Sequence, residues 1–238
     1  MNILRPLSCL ALAAALCQCT LEPKPAAQAV QPGMPADFCY VDEVAPLVRV
    51  DLKYAGSDNF VGRPIDGYTG RRAVLRKDTA AALRTASEIL AKQGYGLLVW
   101  DAYRPARALK DFRAWSRTPD DSTRATFYPR ITKQEIYDNR YIGDVSEHSW
   151  GIALDLTLFR LSDGKEVDMG GRHDLLDVSS ATRSPLVPAT ARANRLILHD
   201  AMLQAGFCNY SKEWWHYFLR NRGDCYNYNF PLDDNAKR

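Results

Sequence analysis

Residues Ile152–Leu158 alternate with a period of two, the pattern of a β-strand with one face in a core. Ile152, Leu154, Leu156 and Leu158 fall on one face, and Ala153, Asp155 and Thr157 on the other. Asp155 is therefore a carboxylate in mid-strand between small residues. Burying it alone is costly, so a compensating charge is expected. His148 lies just before the strand, across Gly151, which allows a sharp turn. An imidazole and a carboxylate converging around that turn suit zinc, which accepts both ligand types.

Two further segments carry chemistry. In Glu213-Trp214-Trp215-His216, a strand over Trp214–Leu219 puts His216 on the face of Trp214 and Phe218. Strict alternation sends Glu213 to the opposite face, so a turn or bulge around Ser211–Glu213 is needed to aim both inward. With that turn, His216 is a third ligand and Glu213 a base that does not bind the metal. Two His, one carboxylate and one free Glu form a hydrolytic zinc site with one open position for water. Trp100-Asp101-Ala102-Tyr103-Arg104-Pro105 follows the apolar run Gly96–Trp100, and Arg104 there is a fixed cation suited to an oxyanion. Each segment also has a plain reading: a structural ion pair, an aromatic core, an Arg104–Asp101 pair. Their joint occurrence favours the catalytic one. His173 and His199 lack such a setting.

The remaining pattern predicts mixed helices and strands. Val48–Leu52 reads as a short strand, and Asp58–Gly70 as a loop rich in turn residues. Asp78 is expected to cap a helix with Ala82, Ala86, Ile89 and Leu90 on its apolar face, closed by Gly94. Pro105 opens the next helix at its first position. Thr132 to Glu135 form a capping box. Thr190 caps a long helix ending at Gly206. Without regular strand–helix alternation, the class is α+β, a single domain over residues 37–238.

Residues 1–19 read as an export signal: Arg5 precedes the apolar run Leu7–Cys17, which is too short to span a membrane. Leu16-Cys17-Gln18-Cys19 loosely matches a lipoprotein signal, with Gln18 a poor fit before the Cys. Lipid anchoring and ordinary cleavage both stay open, so the chain is expected in the periplasm or tethered to a membrane. Residues 20–36, rich in Pro, Ala and Gln, read as a flexible linker. The net charge is +3 with basic residues scattered, which argues against nucleic acid. Of six cysteines, Cys39, Cys208 and Cys225 lie in the body. Cys208 and Cys225 flank the aromatic segment and are the favoured disulfide, since export permits one. No C-x-x-C spacing occurs, which argues against a thiolate zinc site.

Ser146-x-His-x-x-Gly-x-Ala-x-Asp155 followed by Glu213-x-x-His216 resembles the zinc D-Ala-D-Ala metallopeptidases, most closely the D-alanyl-D-alanine dipeptidases of vancomycin-type resistance. Asp51-Leu52-Lys53-Tyr54-Ala55, the run Asp58 to Tyr68, Asp101 to Pro105 and Met169 to Asp174 extend the resemblance over the body. It implies one zinc held by His148, Asp155 and His216, Glu213 as general base and then acid, and Arg104 on the scissile carbonyl. It also implies Asp174 at the substrate ammonium, Ser146 near the carboxylate, and Tyr54 and Tyr68 lining the pocket. The implied fold is α+β around a central antiparallel sheet flanked by helices, and the implied substrate a small D-amino-acid dipeptide. Rival readings are a D,D-carboxypeptidase on longer wall peptides and a non-catalytic, zinc-stabilised wall-binding lipoprotein. Trp150, where relatives often carry Arg, and His173, beside Asp174, depart from the pattern.

Overall fold

The computed structural model describes residues 33–220 and 226–233. In chain order the elements are β1 (Phe38–Tyr40), α1 (Val41–Val44), β2 (Arg49–Val50), β3 (Val74–Arg76), α2 (Lys77–Ala91), β4 (Tyr95–Asp101), α3 (Ala106–Ser116), α4 (Arg124–Phe127) and α5 (Lys133–Asp138). Then follow β5 (Ala153–Arg160), α6 (Ala189–Gln204), β6 (Phe207–Asn209) and β7 (His216–Leu219). The class is α+β. A five-stranded sheet runs β2-β4-β5-β7-β6, antiparallel except for the edge pair β2–β4, and β1 pairs with β3 in a small second sheet. Helices α2 and α6 pack on each other, α2 also on β4 and α6 on β6. Among the described residues no helix is long and apolar enough to cross a membrane.

The alternation along β5 sets the two faces of the sheet. Leu154, Leu156 and Leu158 are fully buried in the core, where Leu156 and Leu158 face Val99 and Leu97 of β4. The opposite face carries Asp155. A β-bulge between Val99 and Asp101 places two residues of β4 against one of β5, so that Asp101 comes to face Asp155. Without that extra residue Asp101 would share the core face of Leu97 and Val99. Asp155 pairs in turn with His216 on β7. Directly opposed residues share a face, so the register alone sets Asp101, Asp155 and His216 side by side.

Several local expectations shift. Strand β3 runs straight into α2, so Arg76 occupies the cap and Asp78 lies inside the first turn, accepting from the Thr79 amide. The buried face of α2 is Ala80, Leu83, Ala86 and Leu90; Ala82 and Ile89 are only half-buried. Pro188 and Pro105 take the cap positions of α6 and α3, so Thr190 caps nothing and Pro105 sits one place before the first turn. Proline has the φ a cap-to-helix entry needs and lacks the N–H that would otherwise go unbonded. The capping box at Thr132 forms with Glu135 as read. The aromatic strand begins at His216, because Trp214 and Trp215 belong to a turn. Cys208 is half-buried on β6, whereas Cys225 and the whole export segment lie outside the described residues.

Candidate metal centre and active site

Three elements deliver three ligand atoms to one point. His148 sits in a short 3₁₀ turn, Glu147–Trp150, capped by the Ser146 hydroxyl, which accepts from the His148 amide at 3.3 Å. Gly151 ends that turn at φ 74°, and a Cβ there would run into the Phe38 ring, so only glycine serves. His148 Nδ1 lies 2.7 Å from the Ala102 carbonyl. A carbonyl only accepts, so the proton sits on Nδ1 and Nε2 is left bare as a ligand. Nε2 is 3.1 Å from His216 Nδ1 and 3.4 Å from Asp155 Oδ1, and His216 Nδ1 is 3.0 Å from Asp155 Oδ1.

Edges of 3.0–3.4 Å are those of one face of a tetrahedron around zinc, whose N and O ligands at about 2.0–2.1 Å lie roughly 3.3 Å apart. His148 Nε2, bare in this tautomer, and the Asp155 oxygen 3.4 Å from it both only accept, so a cation between them is favourable. The donor set thus fits a zinc ion.

That cavity, of about 800 Å³, is lined by Tyr54, Arg104, Ser146, Asp174 and Glu213 around the three ligands. Residues from the segment 134–147 and Tyr210 complete its lining. The turn before β7 aims Glu213 inward. The His216 amide donates to the Glu213 carbonyl at 3.3 Å, and the Asn209 side-chain amide donates to the carbonyls of both Glu213 and His216. Glu213 Oε2 ends 4.0 Å from His216 Nδ1. This is the turn the Glu-x-x-His spacing demanded.

A family model described as D-Ala-D-Ala dipeptidase matches residues 34–235. The chain is 44% identical over 202 residues to the D-alanyl-D-alanine dipeptidase of Streptomyces coelicolor, covering 84% of this chain and 100% of that protein. It is 43% identical to the Enterococcus faecium dipeptidase (79% and 94% covered) and 36% identical to that of Escherichia coli (74% and 81%). The chain belongs to the D-Ala-D-Ala dipeptidase family.

Within this family member, the charged groups lie close behind the three ligands. Arg104 is buried and donates to Asp101 Oδ2 from Nε (2.9 Å), with its NH2 nitrogen 3.6 Å from Asp155 Oδ2. The plain pairing with Asp101 and the place in the cavity wall are therefore both real. Burial would raise the Asp155 carboxyl, but the surrounding imidazoles of His148, His173 and His216 hold it well below the usual carboxylate range. Burial, reinforced by Asp155 and Asp174 and opposed by Arg104, pushes Glu213 well above its ordinary value.

Asp174 is buried with a backbone in the left-handed region (φ 58°). Such strain in a non-glycine residue persists where the surroundings enforce it. Its Oδ1 accepts from the Tyr54 hydroxyl at 3.1 Å, while Oδ2 has no hydrogen-bond partner among the described residues. Burial and the nearby Asp155 raise its carboxyl. Tyr68 does not line the cavity; its hydroxyl donates to Asp101 Oδ1 at 2.7 Å, behind the wall. Trp150 also stays out of the cavity and donates to Asn227.

Sequence reasoning missed two contributors. Asp101 is fully buried beneath Arg104 and 3.4 Å from His148 Nδ1; the bulge that turns it inward leaves no mark on the alternation. His173, which the sequence marks only as a departure beside Asp174, is buried against Asp155 and Asp174.

Proposed function

We propose that the protein is a zinc D,D-dipeptidase that hydrolyses D-alanyl-D-alanine, with one ion held by His148 Nε2, Asp155 Oδ1 and His216 Nδ1. The observation that carries this is the three-atom donor face at the floor of a cavity into which Glu213 and Arg104 also point. The dipeptidase names of the curated relatives support the substrate.

A zinc ion there supplies a lowered water pKa and a polarised carbonyl. Glu213 takes the proton of the attacking water and passes it to the leaving amine. Burial raises its pKa above that of a free carboxyl, which makes it the stronger base. Arg104, held charged and oriented by Asp101, meets the negative charge that develops on the carbonyl oxygen. Asp174 offers its unpaired Oδ2 to the free ammonium of the substrate, because a buried carboxylate without a partner favours a cation. Ser146, in the cavity wall, is the candidate contact for the substrate carboxylate.

A D,D-carboxypeptidase on longer peptides is the second reading, favoured by a cavity of about 800 Å³, ample for more than a dipeptide. Asp174 opposes it, since an acylated substrate brings no ammonium. For localisation we propose export, on the strength of Arg5 and the apolar run Leu7–Cys17. Such an enzyme meets dipeptides outside the cytoplasm, either free in the periplasm or tethered by a lipid on Cys19.

The test compares release of D-alanine from D-Ala-D-Ala with release from an N-acylated tripeptide ending in D-Ala-D-Ala, using zinc-loaded protein and Glu213→Ala as control. Cleavage of the dipeptide alone, lost in the variant, is expected. Preference for the acylated peptide would move the assignment to carboxypeptidase. Inertness toward both would favour the wall-binding reading.

A further inference from the structure

Asp155 has two oxygens and uses them differently. Oδ1 faces His216 and His148, at 3.0 and 3.4 Å. Oδ2 faces away from them, 3.3 Å from His173 Nε2 and 3.6 Å from an Arg104 nitrogen. His173 is buried, its ring packed 5.1 Å from that of Trp100 and 5.6 Å from that of Trp215. Its Nδ1 has no hydrogen-bond partner among the described residues, whereas Nε2 also lies 3.4 Å from Asp174 Oδ1. Both neighbours of Nε2 are carboxylate oxygens, and a carboxylate accepts. The ring proton therefore belongs on Nε2, which makes His173 a donor to Asp155.

We propose that His173 is a positioning residue for the metal ligand Asp155: by engaging Oδ2 it presents Oδ1 alone to the ion. A carboxylate free to rotate can bind with both oxygens and fill the coordination position that water requires. With Oδ2 engaged by His173 and flanked by Arg104, Asp155 is confined to one-oxygen binding and that position stays open. Groups that orient a ligand in this way commonly govern metal affinity by 10–100-fold. The inference rests on the zinc reading above.

Two substitutions separate donation from packing. In His173→Gln the amide nitrogen stands where Nε2 was; in His173→Asn it stands near Nδ1 and falls short of Asp155. The full chain and both variants are stripped of metal and titrated with zinc against a competing chelator. Cobalt(II) absorption reports ligand number, and thermal unfolding of the metal-free forms reports folding. We expect H173N to weaken zinc binding by about 10–100-fold and to lose the intense tetrahedral cobalt spectrum, while H173Q recovers most of both. Equal zinc affinity in wild type and H173N would overturn the proposal. So would an H173Q as weak as H173N, which would reduce His173 to packing. A wild-type chain that binds no zinc would instead overturn the metal reading itself.

Discussion

Glu213, Gly151 and Arg195 show what single side chains contribute. Glu213 lines the cavity beside His216 and is neither a candidate ligand nor the candidate ammonium clamp. Glu213→Gln is expected to lower kcat by about 10²–10⁴ while zinc content, measured by elemental analysis, stays at the wild-type level. Gly151 holds the turn that aims His148, so Gly151→Ala combines left-handed strain with a clash on Phe38. It should cost about 2 kcal/mol or more in urea unfolding. Arg195, fully buried in α6, donates to the carbonyls of Met169, Ser179 and Ala181 on either side of the His173–Asp174 loop. Burial without a paired carboxylate lowers its pKa to about 10, so it remains charged at neutral pH. Arg195→Met leaves one buried and two part-buried carbonyls without this donor and should destabilise the fold by about 3 kcal/mol or more; a loss under 1 kcal/mol would refute that role.

At the scale of elements, the site depends on irregularities in otherwise regular strands. The bulge in β4 turns Asp101 from core to site, and the turn before β7 brings Glu213 to the side of His216. Asn209 on β6 holds that turn by two carbonyls and is itself held by the Thr182 hydroxyl, which donates at 2.6 Å. Asn209→Ala is expected to lower kcat/KM at least tenfold, because a misaimed base costs rate before it costs stability. A tenfold loss in dipeptide turnover that exceeds any shift in the urea midpoint would be the signature; unchanged kcat/KM would show that the turn holds without Asn209. The Glu-x-x-His spacing made the turn legible because alternation forbade any other way to aim both groups. The bulge was not legible, since an extra residue in β4 changes no residue type.

For the whole molecule, the three candidate ligands come from the 3₁₀ turn, β5 and β7, so an ion held by them would tie the central strand β5 to its neighbour β7 and to the turn before β5. Removing zinc with a chelator should lower Tm, and restoring zinc should recover it in a concentration-dependent way; a Tm indifferent to zinc would argue against a bound ion. Stability should also fall in acid. Asp111, bonded by Arg63, and the buried Asp177, whose Arg130 partner outweighs its burial, have folded pKa values below the ordinary one. The unfolded chain takes up these protons first, at about pH 3.9. The stabilisation they bring is therefore complete above about pH 5 and lost as pH falls through the lower folded values; a urea midpoint flat from pH 6 to 3 would contradict this. The sequence by itself determined the α+β class and the strand carrying Asp155, and its motif spacing singled out His148, Asp155, His216 and Glu213 as the candidate ligands and base that the structure brings together, because alternation and spacing constrain which way a side chain points. Only the tertiary structure decided that Asp101 and His173 join the site and that Tyr68 stands behind it. Those three are placed by register and by packing between segments far apart in the chain, which no local pattern records.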